Sequence, residues 1–449
     1  MKRALLRCGS VLFLPVSVLC WLVSLIRHWG AFAQSDVIVM NWHMVNFGTG
    51  MTALDVTRRV LADRKVVFVL VWEPSGTQNP LLGKIFQDIE VATIRRVRLM
   101  FRFAGRNFAF PDLATIDRVL EHVTKLFFAL SFPGKEFLRY RDVVYSIPVP
   151  ADLSDVIPPG YNNSLEDRDP YDGFASNCLW TSLLPEGTSP HPKFPEQPRR
   201  DIHDRLISAR GGKAARLCTM HNRVLERNIH RDGSPIADYV PAIELLVGRG
   251  FQVLLAGDQT LERDHMDSFG GMVVDAAKLG VDLDMFRLFA PLESDICVGD
   301  AGSGMIFPMI MNLPTLTMNF HPFGYALPGT WVYPKRVHDE SGDPVPFRKV
   351  LQEDPFGYYT TGGSRHKNWV PEKNTSEDIL EAMQCFLEWF DGKAAPERDT
   401  GLEGDIPKLS MYHSFGARIS PAFLKRHHLT DSQESNGQGE ALSATAVPS

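Results

Sequence analysis

The sequence predicts an α/β protein with two Rossmann-like domains that face a cleft, preceded by an apolar amino-terminal helix. Three observations lead to this prediction. Apolar runs of strand length alternate with helical patterns in both halves of the chain, five prolines fall between residues 185 and 198, and an uncharged apolar run opens the sequence. The expected organisation is a membrane anchor (1–34), an amino-terminal Rossmann-like domain (35–184), a proline-rich linker (185–201), a carboxyl-terminal Rossmann-like domain (202–429) and a disordered tail (430–449).

The amino-terminal run, residues 8–26, has 19 residues without a charge, enough to span a hydrocarbon core as a helix. Basic residues precede it, and Trp29 at its far edge suits an interfacial anchor. We therefore expect a single membrane anchor with the body facing the cytoplasm, or alternatively a lumenal type II arrangement. Two other interpretations stay open: a signal peptide cleaved near residues 31–33, and a buried core helix.

The first half begins with a β-loop-α-β unit, which predicts parallel strands and a right-handed crossover. Its parts are a strand at 36–42, a glycine loop at 43–50, a helix at 52–61 and a strand at 66–72. Apolar residues at helical spacing then predict a helix over 113–130, and residues 143–147 predict another short strand.

The proline-rich stretch predicts a linker or surface loop without a helix, because prolines at that density break helices and central strands. After it the alternation restarts. Asp238 is expected to cap a helix that stops at Gly250. The predicted strands are 215–221, 251–256, 295–298 and 315–319, and the predicted helices are 238–247, 284–292 and 303–311.

Composition excludes several classes of protein. Hydrophobic residues make up 44% and charged residues 22% of the 449 residues, which excludes a disordered or multi-span membrane chain. The formal net charge of −6 implies no broad basic surface, so we expect no nucleic-acid partner. The sequence contains no Cys-x-x-Cys pair and no His-x-x-x-His pattern that would indicate a metal site. Asp282 and Asp284 stand at the start of a predicted helix and are interpreted as a helix cap, so we expect no metal site.

The glycine loop after the first strand is one candidate binding site. Its glycines, Gly48 and Gly50, let a ligand approach the backbone, and the following helix start favours negative charge. Residues 48–53 also match the dinucleotide pattern G-x-G-x-x-A, and Glu73 ends the next strand, so a Rossmann NAD(P)/FAD oxidoreductase stays an alternative. Against it, five residues separate the strand from Gly48. Glycines that merely turn the chain are a further possibility.

A second glycine-rich loop, residues 299–304, lies between a strand and a helix. Its backbone N–H groups and the Ser303 hydroxyl form a cradle for phosphate oxygens, although the P-loop lysine is absent. Arg223 follows the 215–221 strand, and Gly257-Asp258 follows the next strand, so these residues share one sheet edge. The planar guanidinium of Arg223 suits a diphosphate. A purely structural interpretation stays open. The small residues of 299–304 would then only allow the helix to begin, and Arg223 and Asp258 would be ordinary charged loop residues.

The second half also contains a longer pattern. It comprises 238–239, 241–243, Gly250, Val253, Asp275, 284–286, 297–304, 314–315, Asn319, Pro322 and 333–335. On these residues the chain resembles a family of GT-B-type glycosyltransferases from bacterial surface-glycan gene clusters. Where relatives carry an Arg-Asp pair after the first strand of the carboxyl-terminal domain, this chain has His221, Asn222 and Arg223.

The resemblance implies a membrane-associated, metal-independent glycosyltransferase. Its carboxyl-terminal domain would hold a nucleotide-diphosphate sugar, and its amino-terminal domain a glycan or lipid-linked acceptor. No cofactor is implied beyond the nucleotide-sugar co-substrate. The implied donor-side residues are Arg223, Gly257, Asp258, Gly302, Ser303, Gly304 and Asn319. The implied acceptor-side residues are Asn46, Gly48, Thr49 and Gly50.

His43 begins the glycine loop and is therefore the candidate general base for an inverting transfer. A histidine with only a loop or core role is equally open. A third hypothesis beside the transferase and the oxidoreductase is a catalytically inactive GT-B-like scaffold in glycan assembly. Each hypothesis predicts a different nucleotide response: a nucleoside diphosphate, a dinucleotide, or none.

Overall fold

The computed structural model describes residues 2–41, 47–72, 81–86, 89–95, 99–103, 106–110, 113–146, 192–225, 232–320, 330–347, 349–350, 369–392 and 418–427. The chain divides into two compact units, Met1–Pro148 with His191–Lys193, and Val149–Pro190 with Phe194–Ser449. Each unit contains a parallel β-sheet accompanied by helices, so the α/β class predicted from the sequence is confirmed.

The amino-terminal unit contains a four-stranded parallel sheet of order β3-β2-β1-β6. All five residues of β1 are buried, as expected for a parallel strand covered on both faces. The elements are α1 (Lys2–Arg27), α2 (Trp29–Gln34), β1 (Val37–Asn41), α3 (Phe47–Val60), β2 (Val66–Trp72), α4 (Leu82–Ile85), β3 (Glu90–Arg95), β4 (Leu99–Phe103), β5 (Arg106–Phe110), α5 (Leu113–Ser131), β6 (Glu136–Arg139) and α6 (Tyr140–Tyr145).

Helix α1 packs on the core of this unit. Trp21 and Leu25 are buried, and the Trp21 indole Nε1 donates a hydrogen bond to Thr124 Oγ1 on α5 at 2.8 Å. Within the described residues, no helix combines the length and the hydrophobicity needed to cross a bilayer. The predicted amino-terminal membrane anchor is therefore not supported. One face of the apolar run instead joins the core.

The predicted glycine loop is shorter than expected. Helix α3 begins at Phe47, so Gly48, Thr49 and Gly50 lie in its first turn. A glycine inside a helix costs about 1 kcal/mol relative to alanine. Burial of residues such as Met51 and Leu54, both 0% exposed, offsets that cost. The pattern G-x-G-x-x-A therefore does not form the tight strand-to-helix turn that a dinucleotide site requires.

The strand predicted at 143–147 is wrong. Residues 140–145 form α6, and the strand that pairs with β1 is β6, just before it. The Asp142 carboxylate explains the change, because it accepts hydrogen bonds from the Arg139 backbone N–H at 3.0 Å and from the Arg139 guanidinium. An acidic residue that covers the start of a helix stabilises that start.

The carboxyl-terminal unit contains a seven-stranded sheet of order β15-β12-β11-β10-β7-β8-β9, in which every pair is parallel. Its elements are α7 (Glu196–Ala209), β7 (Arg216–His221), a 3₁₀ turn (Ile236–Tyr239), α8 (Val240–Gly248), β8 (Phe251–Leu255), α9 (Arg263–Ser268), β9 (Val273–Asp275), α10 (Ala276–Leu279), α11 (Leu283–Glu293), β10 (Ile296–Asp300), α12 (Ser303–Ile310), β11 (Thr315–Phe320), β12 (Thr330–Pro334), β13 (Arg336–His338), β14 (Val370–Glu372), α13 (Ser376–Phe390) and β15 (Arg418–Ile419).

All four strands predicted in this half are confirmed to within two residues. The cap predicted at Asp282 is also confirmed, since its carboxylate accepts the Met285 N–H at 3.0 Å. Asp238, however, lies in the 3₁₀ turn, and the residue at the N-cap of α8 is Tyr239, whose side chain makes no capping hydrogen bond within the described part of the chain. The early Pro241 already suits a first turn. Gly250 ends that region as predicted, with φ of +82°.

A helix does begin inside the predicted proline linker. Helix α7 starts at Glu196, directly after Pro195, and Pro198 lies within its first turn. Proline is tolerated there because the first N–H groups of a helix have no intrahelical acceptor. The prediction that no helix survives this stretch was therefore wrong for its last residues.

Candidate functional site

The carboxyl ends of β11, β10, β7 and β8 lie side by side in the larger sheet. Because all four strands are parallel, the loops that follow them leave from one edge, where open α/β sheets bind ligands. The structure places six of the residues predicted from the sequence on this edge: Arg223, Gly257, Asp258, Gly302, Gly304 and Asn319. The backbone of Ser303 lies there too, as the first residue of α12.

Asp300 is the centre of this edge. It ends β10 with 1% of its surface exposed, and its carboxylate accepts four hydrogen bonds. The donors are the Arg223 N–H (2.8 Å), the Tyr239 hydroxyl (2.6 Å), the Asn319 Nδ2 (2.6 Å) and the Ser234 N–H (3.4 Å). Burial raises the pKa of Asp300 to about 6, although these donors favour the carboxylate. The carboxylate thereby connects the Arg223 loop, the segment from Ser234 to Tyr239 and the end of β11.

Asn319 connects this centre to the start of α13. Its φ of +51° is in the left-handed region, which asparagine tolerates better than most residues. Asn319 and Asn374 each donate a backbone N–H to the other's side-chain oxygen, at 2.5 and 2.8 Å. Asn319 Nδ2 also reaches Ser234 Oγ at 2.9 Å. The Asn319 side chain thus hydrogen-bonds to Ser234, Asp300 and Asn374 and stabilises this edge of the sheet.

Arg223 lies against the start of α12. Its Nη1 donates to the Ala301 carbonyl at 3.2 Å, and a Cβ placed on Gly302 would lie 2.4 Å from that same nitrogen. Among the described residues, no side chain caps α12 at Gly302. The first N–H groups of a helix have no intrahelical acceptor, so the guanidinium and these amides form one positively polarised surface.

His221 lies beneath the same loop. A Cβ on Gly304 would meet its imidazole ring at 2.2 Å, and a Cβ on Gly299 would meet its backbone oxygen at 2.1 Å. Within the described residues, its buried Nδ1 makes no hydrogen bond. Burial, helped by the charges of Arg287 and Arg223, lowers the pKa of His221 to about 4. The imidazole is therefore neutral at physiological pH.

The loop after β8 borders the edge on its other side. A Cβ on Gly257 would lie 2.5 Å from the backbone nitrogen and oxygen of Asn222, so two loops touch there through backbone. The Asp258 carboxylate is 40% exposed, accepts the Val224 N–H at 3.2 Å and lies 3.4 Å from Arg287. Arg287 also donates to the Gly257 carbonyl at 2.8 Å. The loop thus presents one accessible carboxylate beside a cation.

Lys335 adds a buried cation to the cluster. It is 1% exposed, and its Nζ donates to the Asp232 carbonyl. Burial lowers the pKa of Lys335 to about 8, while the charges of Asp300 and Asp232 oppose that shift. The Asp232 carboxylate itself pairs with Lys373 at 2.6 Å. Lys335 therefore contributes its charge from the interior of the unit, where it interacts with the charges of Asp300 and Asp232.

Several residues of this centre were not predicted as site residues. They are His221, Ser234, Tyr239, Asp300, Lys335 and Asn374. Asp300 had a sequence signal, because it stands at a strand end inside the glycine-rich loop. His221 had a similar signal as the last residue of the predicted 215–221 strand, whereas the others become neighbours only through tertiary structure. Among the acceptor-side predictions, His43 and Asn46 lie outside the described residues, as does Glu73, and Gly48–Gly50 belong to the other unit.

The arrangement suits an anionic ligand. Arg223 and the uncapped start of α12 supply positive potential, and small residues let a ligand approach the backbone. Within the part of the chain that the structure describes, no group of three or more His, Cys, Asp or Glu side chains could hold a metal ion.

Comparisons with known proteins give only distant likenesses. No protein-family model matches the sequence, and the comparison with curated proteins gives no match. Among solved structures, the chain is similar to the ADP-heptose LPS heptosyltransferase II of E. coli, with 11% identity and a TM-score of 0.41, covering 79% of this chain and 99% of that one.

A second similar structure is a family 9 glycosyl transferase from Veillonella parvula, with 11% identity and a TM-score of 0.38, covering 67% of this chain and 86% of that one. A third is the wall teichoic acid polymerase TagF, with 9% identity and a TM-score of 0.22, covering 83% of this chain and 87% of that one. Likenesses this weak carry no assignment for this chain.

Proposed function

We propose that the chain is a glycosyltransferase that takes a sugar from a nucleotide-diphosphate donor and transfers it to a glycan or lipid-linked acceptor. The observation that supports this most is the position of Arg223, whose Nη1 lies 2.4 Å from the place that a Cβ of Gly302 would take, at the uncapped start of α12. A guanidinium beside free helix N–H groups suits two neighbouring phosphates better than a single carboxylate.

The chemistry follows from that placement. Transfer of a glycosyl group leaves a nucleoside diphosphate, so negative charge develops on the bridging oxygen as the glycosidic bond breaks. Arg223, with the amides of Gly302, Ser303 and Gly304, would stabilise that charge electrostatically. We therefore propose that transfer needs no bound metal ion.

The remaining site residues keep supporting roles in this proposal. Asp300 holds the Arg223 loop through the backbone N–H. Asp258, exposed beside Arg287, would accept hydrogen bonds from hydroxyl groups of the donor. Gly257 and Asn319 would shape the edge. The proposed acceptor side is the segment of Asn46, Gly48, Thr49 and Gly50, with His43 as general base.

A thermal-shift panel tests the donor class. The full chain is heated with UDP, GDP, CDP or TDP, each with and without EDTA, and beside them NAD, NADP and FAD. A ligand at a hundred times its Kd adds about 2.7 kcal/mol to the unfolding free energy, which raises Tm by a few degrees. We expect one nucleoside diphosphate to raise Tm, with EDTA making no difference.

Two variants make the panel specific. Arg223→Ala should abolish the nucleotide shift, whereas Arg200→Ala should leave it intact. Arg200 is a suitable control because it is exposed on α7 and pairs only with Glu196 among the described residues. A shift with dinucleotides alone would replace the proposal with the oxidoreductase. No shift with any nucleotide would replace it with the inactive scaffold.

A further inference from the structure

Exposed apolar side chains are concentrated on one part of the amino-terminal unit. Ten large hydrophobic side chains within the described residues are strongly exposed, and seven of them lie on α1, α2 and α5. These seven, which we name the α1–α5 face, are Val16, Leu19, Val23, Ile26, Trp29, Leu126 and Leu130. Such a concentration needs a reason, since scattered exposed apolar residues are the norm.

On α1 the exposed residues form a stripe. Positions 16, 19, 23 and 26 recur every three or four residues and share one side of the helix. They are 52%, 63%, 43% and 55% exposed. The opposite side, with Trp21 and Leu25, is buried. Between its basic ends, α1 is therefore apolar on both sides, and its own unit covers only the side of Trp21 and Leu25.

Helix α5 extends the stripe. Leu126 and Leu130, one turn apart, are 60% and 73% exposed. The two helices are in contact through the hydrogen bond from Trp21 to Thr124. At the far end of α1, the Trp29 ring lies edge-on to Phe127 at 5.9 Å between ring centroids. The exposed residues thus lie on helices that pack as one layer.

The charged residues at the two ends of α1 are basic. The sequence of α1 contains no acidic residue, while three basic residues stand in its first six positions and Arg27 ends it. On α5, Lys125 is 47% exposed and pairs with Glu121 at 2.7 Å, so the charges there balance. An apolar surface with a tryptophan at its edge and basic residues at both ends is typical of a segment that lies in the interface of an anionic membrane.

We propose that the α1–α5 face lies flat on an anionic lipid bilayer, with its leucine, isoleucine and valine side chains among the acyl chains and the basic residues at the headgroups. The proposal concerns attachment, not passage across the membrane. It is independent of the proposed function, because lipid binding is measured without any donor or acceptor.

Vesicle flotation tests the proposal. The full chain is mixed with vesicles of phosphatidylcholine alone or of phosphatidylcholine with phosphatidylglycerol, at low and high salt. We expect flotation with the anionic vesicles, weakened by salt because headgroup attraction is screened. The double variant Leu126→Ser/Leu130→Ser should lower partitioning at least about tenfold, because two apolar side chains leave the interface.

Two matched variants control for loss of any exposed apolar residue. Ile207→Ser on α7 and Leu283→Ser at the start of α11 remove side chains of 42% and 45% exposure in the other unit. They should float like the parent. Failure of the parent to float, or equal flotation of the α5 double variant, would overturn the proposal. The proposal would also be overturned if the parent were a dimer, the double variant were a monomer and flotation were unchanged. The α1–α5 face would then bind a second copy of the chain.

A second readout guards against a misfolded variant. Lipids brominated along the acyl chain quench tryptophans that enter the bilayer interface. Part of the parent's fluorescence should be quenched, and Trp29→Phe, which retains an aromatic ring against Phe127, should lose that part while still floating. Unchanged quenching in Trp29→Phe would place this edge of the face outside the membrane and contradict the arrangement.

Discussion

The Tyr239 hydroxyl lies 2.6 Å from the Asp300 carboxylate, in the interior of the carboxyl-terminal unit, where both side chains are at most 1% exposed. The other carboxylate oxygen accepts the Arg223 N–H at 2.8 Å. Tyr239 therefore influences the loop of Arg223 through Asp300 without reaching the sheet edge itself. A buried tyrosine thus acts as a positioning residue for the proposed phosphate site.

Removal of this hydroxyl should reveal that role. Tyr239→Phe deprives Asp300 of a donor, and we expect a loss of about 1–3 kcal/mol in unfolding free energy. Because Asp300 then holds the Arg223 loop less firmly, nucleoside diphosphate affinity should fall several-fold as well. Urea unfolding measures the stability, and calorimetric titration with the diphosphate that shifts Tm measures the affinity.

Tyr333→Phe is the matched control. Tyr333 is also buried, and its hydroxyl also donates to a carboxylate, that of Asp378 at 2.8 Å, but at the start of α13. We expect a comparable loss of stability with unchanged affinity. If both variants weaken nucleotide binding equally, the effect of Tyr239 is general destabilisation and its positioning role is wrong.

Two glycines of the same loop should behave differently when changed to alanine. At Gly302 the new Cβ would meet the far end of the flexible Arg223 side chain, which can move aside. Gly302→Ala should therefore cost less than about 1 kcal/mol of stability but weaken nucleotide binding about tenfold.

At Gly299 the new Cβ would meet backbone, the His221 carbonyl oxygen, which cannot move without the strand. Gly299→Ala should cost about 1–3 kcal/mol or more through overpacking. Thermal unfolding and nucleotide titration of both variants check the contrast. A stable Gly299→Ala protein, or a Gly302→Ala protein that binds normally, would contradict the packing described for this loop.

The candidate site was partly predictable because strand ends can be found from sequence. Apolar runs located β7, β8, β10 and β11, and parallel pairing then placed Arg223, Asp258 and the 299–304 loop on one edge. Tyr239 and Asn374 were not predicted as site residues, because their partners are distant along the chain. Tyr239 bonds Asp300 across 61 residues and Asn374 bonds Asn319 across 55, and no local pattern marks a side chain that bonds across such a separation.

The errors in the fold also have physical causes. The 8–26 run was uncharged and of spanning length, but hydrophobicity alone does not tell a helix that lies against a core from one surrounded by lipid. The helix at 140–145 was missed because Asp142 stabilises its start through Arg139, an interaction that outweighs the β-propensity of two adjacent valines. Tertiary and capping contacts decided both cases.

His221 should impose a pH dependence on stability. Its pKa is about 6.5 unfolded and about 4 folded, so between these values the unfolded chain binds the extra proton. Stability from this residue therefore rises with pH across that window, on the order of 1–3 kcal/mol. Asp300 works in the opposite direction between about 3.8 and about 6, because its pKa is raised on folding.

A comparison of variants separates the two contributions. His221→Gln keeps a neutral polar side chain and retains Asp300, so its stability should gain less than the parent's between pH 4 and 6.5. Urea unfolding of both proteins at several pH values within the window measures the difference. Parallel curves would mean that His221 titrates normally when folded, and hence that its burial beneath the 299–304 loop is wrong.

Lys335 should produce a separate dependence at alkaline pH. Burial lowers its pKa from 10.5 to about 8, so between these values the unfolded chain again binds the extra proton and stability rises with pH. Lys335→Met, of similar length but uncharged, should abolish about 1–3 kcal/mol of that rise. The unfolding free energies of parent and variant, measured at both ends of the window, check the prediction. Lys349→Met, on a segment that does not line the Asp300 cluster, serves as control.

The difference in unfolding free energy between parent and Lys335→Met should shrink as pH rises, because the parent then carries a neutral amine in the same place. A difference that stays constant would show that Lys335 remains charged in the interior, with Asp232 and Asp300 stabilising the ammonium at least as much as burial destabilises it.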